Sequence, residues 1–123
     1  MVYVSIIDMS NEQPDRRELL SGTLDLLVLK TLETMGPLHG YGIARRIEQM
    51  AEGTLRLSQG SIYPALIRLE QQGWVETRWG VSETNRKVKF YSLTRPGARQ
   101  LAIAVSQWEH ATALVARVLE AKG

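Results

Sequence analysis

Polar side chains cluster at Ser58, Gln59 and Ser61, directly before a run of apolar residues at helical spacing. Hydroxyl and amide groups hydrogen-bond to phosphate oxygens and base edges, and glutamine can make two hydrogen bonds to adenine. Gly60 allows close approach to the backbone, and Tyr63 adds an aromatic ring with a hydroxyl. These five residues are candidate nucleic-acid contacts. The alternatives are a surface helix without a ligand and, for Tyr63, a half-buried core aromatic.

Basic residues follow the polar cluster along the chain. Residues 78–99 carry six bases against one acid, a local balance of +5, whereas residues 1–36 carry six acids against three bases. Uneven charge can steer a polyanion even though the whole chain has a net charge of only +2. Arg86, Lys87 and Lys89 are therefore predicted phosphate or minor-groove contacts, and the alternative is a solvated charged hairpin.

The sequence has few residue patterns typical of a catalytic or metal-binding site. His39 and His110 are far apart and lack an acid at metal-ligand spacing, and no glycine-rich phosphate loop occurs. We predict no catalytic residue, no metal and no cofactor, and hence no enzyme. The chain has no cysteine, which favours a reducing cytoplasm. No apolar run approaches the ~20 residues of a membrane helix.

A helix-turn-helix must position the polar cluster. The spacing of apolar residues predicts three helices: from Leu19 or Thr23 to Met35, from Gly40 to Ala51, and from Ser58 to Gly73. Thr54–Leu57 is expected to be extended and to form one strand of a small sheet. The third helix would present the polar cluster at its start, and Arg68 on its outer face is a candidate phosphate contact.

A β-hairpin must hold the basic residues. Trp74–Trp79 and Lys87–Leu93 alternate residue types and are rich in aromatic and branched side chains, which predicts two strands joined by a polar loop. Lys87 and Lys89 share one face of their strand, and Val88 and Phe90 on the other face are expected to pack inward. Both Trp74 and Trp79 are interpreted as structural residues.

The chain ends in a long predicted helix that starts after Thr94 and runs to about Ala121. Its apolar positions recur at spacings of 4, 3, 4, 3 and 4 residues: Leu101, Val105, Trp108, Thr112, Val115 and Leu119. This repeat is typical of association between helices and predicts a homodimer. Trp108 lies in the middle of the repeat, where it is either an apolar interface anchor or a flat wall for a planar ligand.

These elements predict a mainly α (α+β) fold, a winged helix-turn-helix with a long C-terminal dimerisation helix. Residues 1–18 are expected to form an N-terminal extension, residues 19–94 the winged-helix DNA-binding domain, and residues 95–123 the dimerisation helix.

Several segments of the chain together form a specific pattern: Leu24-Asp-Leu-Leu-Val-Leu29, His39-Gly-Tyr-Gly-Ile43, Gly60-Ser-Ile-Tyr-Pro-Ala-Leu-Ile-Arg-Leu-Glu70, Gly73-Trp-Val-Glu76, Trp79-Gly80, Lys89-Phe-Tyr-Ser-Leu-Thr94 and Gly97. Through these segments the sequence resembles the PadR family of transcriptional regulators over about residues 19–121. The single last helix is similar to the smaller subfamily. The resemblance implies a dimeric winged helix, usually a repressor, that contacts an inverted repeat through residues 58–63 and 86–89. It also implies that Trp108 occupies the place of a drug-stacking tryptophan.

The sequence therefore leads to a main functional hypothesis and a rival. The main hypothesis is a homodimeric repressor that binds an inverted-repeat operator in double-stranded DNA and is released by a small planar aromatic ligand. The rival is a winged-helix protein-interaction module without DNA binding, which the acidic first third of the chain would favour.

Overall fold

The computed structural model of the chain describes the backbone of residues 14–121 and the side chains of residues 22–121. Most of the predicted N-terminal extension, residues 1–13, lies outside the described residues, as do residues 122–123. Within residues 14–121, four helices and three strands follow in the order α1 (Pro14–Met35), β1 (Leu38–His39), α2 (Gly40–Met50), α3 (Gln59–Gln71), β2 (Val75–Val81), β3 (Lys87–Leu93) and α4 (Arg95–Glu120). The first helix begins earlier than the predicted Leu19 or Thr23.

One hydrophobic core joins the three N-terminal helices to the hairpin and to the start of α4. Apolar residues spaced three or four apart bring one face of each helix into this core. Its buried members are Leu24, Val28, Leu29, Leu32, Ile43, Ala44, Ile47, Ile62, Ala65, Leu66, Leu69, Val75, Tyr91 and Leu101. The core fixes α3 against α1 and α2, so only the outer face and the first turn of α3 are available to a partner.

Helix α3 ends two residues before the predicted glycine, Gly73, and backbone hydrogen bonds join its last turn to the start of the wing. Gly73 has a φ of +78°, its N–H donates to the Glu70 carbonyl at 2.9 Å, and the Trp74 N–H donates to the Leu69 carbonyl at 3.0 Å. These two bonds form a Schellman motif, in which glycine takes the left-handed conformation without steric cost. The chain therefore turns directly from α3 into β2.

In the part of the chain that the structure describes, the sheet has three antiparallel strands in the order β1-β3-β2. The prediction of a strand over Thr54–Leu57 is wrong, because β1 is the third strand and pairs Leu38 with Tyr91. In the α2–α3 connection the Leu57 N–H donates to the Glu48 carboxylate at 2.7 Å instead of pairing with a strand. The rest of the sheet is the predicted hairpin, with Val75 opposite Leu93 at its base.

The start of α4 is fixed to the fold by short-range contacts. Thr94 caps the helix by accepting a hydrogen bond from the Gly97 N–H at 3.0 Å, and it donates to the Gly73 carbonyl at 2.7 Å. A Cβ added at Gly97 would lie 2.0 Å from the Trp74 carbonyl oxygen, so this position has no room for a side chain. Among the described residues, no helix is long and apolar enough to cross a membrane.

The arrangement is a winged helix-turn-helix: α2 and α3 form the helix-turn-helix, β2 and β3 form the wing, and a long helix follows. This confirms the predicted fold.

Candidate nucleic-acid interface

The first turn of α3 presents serine hydroxyls that form no hydrogen bond to another element of the described fold. Ser58 is the N-cap residue, but its hydroxyl makes no capping bond and lies 3.4 Å from the Ser61 hydroxyl. The Ser58 carbonyl accepts from the backbone N–H groups of Ser61 and Ile62, each at 3.0 Å. The N–H groups at Gln59 and Gly60 precede any intrahelical acceptor. The first turn thus offers hydroxyls and backbone donors to an external acceptor.

A groove of about 840 Å³ separates α3 from the wing. Five of the predicted contacts line it, together with a tryptophan: Gln59, Tyr63, Trp79, Arg86, Lys87 and Lys89. We call this concavity the wing groove. It brings the amide at the start of α3 and the bases of the wing to one surface.

The hairpin register explains which wing residues line the groove. Trp79 pairs with Lys89 and Val81 pairs with Lys87, and paired residues in an antiparallel ladder project from the same face. The next residue on this face of β3, Tyr91, is buried at the inner end of the groove. This face of β3 therefore carries basic side chains toward the wing tip and a buried tyrosine toward its base.

Trp79 was interpreted as structural, and the structure corrects this. Its side chain is 60% exposed in the wing groove, and the Lys87 Nζ lies 5.4 Å from the centroid of its ring. Trp74, in contrast, packs against the hydrophobic core as expected. The strand pairing contains the signal that the sequence interpretation missed, because Trp79 lies on the same face of the sheet as Lys87 and Lys89. An exposed indole beside a lysine can stack on a sugar or a base.

Tyr63 is fixed by its contact with the start of α2. A Cβ added at Gly40 would lie 2.9 Å from the Tyr63 ring, so the glycine allows the ring to pack closely against this turn. The side chain is 39% exposed and lines the wing groove, so Tyr63 both packs against α2 and borders the groove.

The opposite face of the wing is partly covered. Phe90 is half-buried, with its ring 5.6 Å from the His39 ring in an edge-on arrangement. His39 in turn accepts a hydrogen bond from the Gly42 N–H through Nδ1 at 3.1 Å, which caps α2. Val88, expected to pack inward, is half-buried and borders the groove.

Tyr91 supplies a neutral hydroxyl to the inner end of the groove. Burial, followed by the nearby Glu70 carboxylate and Tyr63 phenol, raises the pKa of the Tyr91 hydroxyl above its ordinary value. A tyrosine hydroxyl is already protonated at neutral pH at its ordinary pKa, and the raised pKa keeps the Tyr91 hydroxyl a hydrogen-bond donor to higher pH.

Arg68 is engaged within the protein. Its guanidinium lies 2.7 Å from the Asp25 carboxylate of α1. Arg68 does not line the wing groove. Arg68 is therefore separated from the five predicted contacts that line the groove, as are Ser58, Gly60 and Ser61, which lie at the start of α3.

The predicted dimer repeat divides between two environments. Leu101 is only 2% exposed and lies in the core of its own chain, and Val105 packs against that core. From Trp108 onward, every residue of α4 is exposed, including Thr112, Val115 and Leu119. Trp108 itself is 48% exposed.

A metal site does not form within the residues that the structure describes. No three His, Cys, Asp or Glu side chains there lie close enough to hold an ion.

Residues 28–103 match the PadR-like family of transcriptional regulators. The chain belongs to this family. The PadR-family transcriptional regulator of Eggerthella lenta is similar to it over 99% of both chains, with a TM-score of 0.74 and 29% identity. A PadR-like regulator of Bacillus cereus has a TM-score of 0.71 and 26% identity over 85% of this chain and 99% of its own. A transcriptional regulator of Clostridium thermocellum shares the fold, with a TM-score of 0.73 and 23% identity over 81% of this chain and 96% of its own.

Family membership confirms the predicted resemblance and identifies a DNA-binding transcriptional regulator rather than an enzyme.

Proposed function

We propose that this PadR-family protein is a cytoplasmic homodimeric repressor that binds an inverted-repeat operator in double-stranded DNA. The observation that carries the proposal is the wing groove, where the polar start of α3 and the basic wing share one concave surface.

In this proposal each part of the surface has a separate task. The first turn of α3 enters the major groove, where Gln59 reads base edges and Ser58, Ser61 and Tyr63 contact bases or phosphates. Gly60 adds no side chain, and a Cβ there would meet only the Ser58 hydroxyl at 3.5 Å. The DNA backbone can therefore approach the helix closely.

The wing supplies affinity and register. Arg86, Lys87 and Lys89 neutralise phosphates, which sets the position of the protein on the duplex without reading sequence. Trp79 lies among them and is a further candidate contact with the sugar-phosphate backbone.

The exposed half of α4 makes the dimer. Trp108, Val115 and Leu119 expose apolar surface on the predicted seam, and two copies of this stripe can cover each other. A twofold dimer presents two copies of α3 to half-sites about one helical turn apart, ~34–36 Å. The inverted repeat follows from this symmetry.

Substitution of Gln59 tests the base-reading role. Gln59→Ala is expected to weaken operator binding by about 1–3 kcal/mol, or roughly 5- to 150-fold, and to leave binding to random duplex DNA nearly unchanged. Gln71→Ala is the matched control, because Gln71 is an exposed glutamine at the other end of α3. Affinities measured on both duplexes decide the role. Equal losses on operator and random DNA would contradict base reading.

The same titrations address the rival proposal of a protein-interaction module. A DNA-binding regulator must lose affinity as salt rises, because bound phosphates release counterions. A wild-type protein without salt-sensitive DNA affinity would favour the rival.

We also propose that a small planar aromatic ligand releases the repressor by stacking on Trp108 between the subunits. The support is the half-exposed indole in the middle of the apolar stripe. Proflavine, a planar aromatic probe, is expected to quench the tryptophan fluorescence of the DNA-free dimer and to lose most of this effect in Trp108→Ala.

Trp79→Phe is the control for the ligand experiment, because Trp79 is the other strongly exposed tryptophan among the described residues. Quenching that survives in Trp108→Ala and disappears in Trp79→Phe would place the ligand in the wing groove instead.

A further inference from the structure

A second concavity adjoins the first turn of α3, on the side of α2. It has a volume of about 370 Å³, and Arg45 and Arg56 line it together with Tyr41, Ser58, Gln59 and Tyr63. We call it the α2 depression. It shares Tyr41, Gln59 and Tyr63 with the wing groove, so the two concavities meet at the start of α3.

Neither arginine of the α2 depression forms an ion pair within the described residues. Both are exposed, and the ion pairs formed among residues 22–121 are Lys30 with Glu33 and Arg68 with Asp25. Glu48 is the acid that lines the depression.

The Glu48 carboxylate has a structural task in the α2–α3 connection. Its Oε2 accepts the Leu57 N–H at 2.7 Å. Because Arg56 precedes Leu57, this bond also fixes the backbone that carries the second arginine. The depression thus keeps an excess of positive charge next to the helix start.

The position of the Arg45 guanidinium favours binding of an anion. Its guanidinium carbon lies 5.9 Å from the centroid of the Tyr41 ring, and Tyr41 is 62% exposed. A guanidinium placed over an aromatic ring loses less freedom when it binds phosphate, and its planar donors suit phosphate oxygens. The Ser58 hydroxyl lines the same depression and can donate to the same anion.

We infer that Arg45 and Arg56 contact DNA phosphates on the α2 side of α3, opposite the phosphates that the wing contacts. The inference rests on the proposed function and adds a second backbone contact to it. The recognition helix is then held between two basic surfaces, which add affinity for the DNA backbone on both sides of it. These arginines are positioning residues that read no bases, because phosphate contacts carry no direct sequence information.

The salt dependence of DNA binding tests the inference. Arg45→Gln and Arg56→Gln are each expected to reduce the slope of log affinity against log salt by about 0.9 on a random-sequence duplex. Over a fourfold rise in salt, each variant would lose roughly threefold less affinity than the wild type. The ratio of operator to random affinity should remain that of the wild type.

Two controls separate phosphate contact from general effects. Arg117→Gln makes the same change of charge in the exposed last turn of α4 and should leave the slope unchanged. Arg45→Lys and Arg56→Lys keep the charge and should retain most of the slope.

Each outcome decides between the proposals. If Arg45→Gln and Arg56→Gln show the same slope of log affinity against log salt as Arg117→Gln, the inference is overturned. The proposed function would still stand in that case, provided that the wild type binds DNA. A wild type without salt-dependent binding would overturn both.

Discussion

The two halves of α4 share one apolar repeat but have different surroundings. The first half is part of the winged helix: Thr94 caps it, Gly97 packs against the Trp74 carbonyl, and Leu101 is buried in the core. The second half, from Trp108 onward, is exposed along its whole length, and Leu119 reaches 79% exposure.

The difference shows that the spacing of apolar residues alone does not decide whether they pack against their own chain or stay exposed. The same 4-3 alternation places Leu101 against the chain's own core and leaves Val115 and Leu119 without cover. A helix of 26 residues is about 39 Å long at ~1.5 Å per residue, which exceeds the reach of a small core. The uncovered half is the part available for association.

The largest expected effect comes from a charge in the exposed half. Val115→Glu should convert the proposed dimer to a monomer, because it places a carboxylate in the apolar contact. Operator affinity should then fall on the order of 100-fold, since the two half-sites are no longer bound as one unit. Sedimentation and operator titration measure both quantities.

Ala113→Glu is the matched control for Val115→Glu, because Ala113 is exposed and lies on the opposite side of α4. A dimer that persists in Val115→Glu would contradict the assignment of this half to association.

The next effect separates the buried end of the repeat from the exposed end. In the monomeric Val115→Glu background, Leu101→Ala should lower the free energy of unfolding by about 2–5 kcal/mol, because it leaves a cavity in the core. Leu119→Ala in the same background should change it by less than about 0.5 kcal/mol. Denaturant unfolding measures both, and a large loss for Leu119→Ala would show that its own chain covers this residue.

The smallest effect concerns a threonine in each half. Thr94→Ala should cost about 0.5–2 kcal/mol of unfolding free energy, since Thr94 caps the helix and also donates to the Gly73 carbonyl. Thr112→Ala is the comparison, because its hydroxyl only donates to carbonyls of its own helix, including that of Trp108 at 3.0 Å. In the monomeric background we expect Thr112→Ala to leave the free energy of unfolding nearly unchanged. Equal losses of unfolding free energy in Thr94→Ala and Thr112→Ala would contradict the distinction between the two halves of α4.

The local features of this protein could be predicted from its sequence. Helical spacing located the helices, Gly73 marked the end of α3, and alternation located both wing strands. These features follow from residues that are close in sequence, so their patterns determine them.

Contacts between distant segments were decided only by the tertiary structure. A two-residue strand such as Leu38–His39 has no alternation to detect, and its pairing with β3 makes it a strand. Arg68 meets Asp25 across 43 positions of sequence. Trp79 became a groove residue because the base of its hairpin enters the core and the tip does not.

Periodicity and turn residues in the sequence determined a winged helix with a long last helix. The tertiary structure decided which side chains face the core, which meet at the start of α3, and where α4 leaves its own fold. The physical reason is that burial and charge pairing depend on the neighbours that packing brings together, and those neighbours lie far apart along the chain.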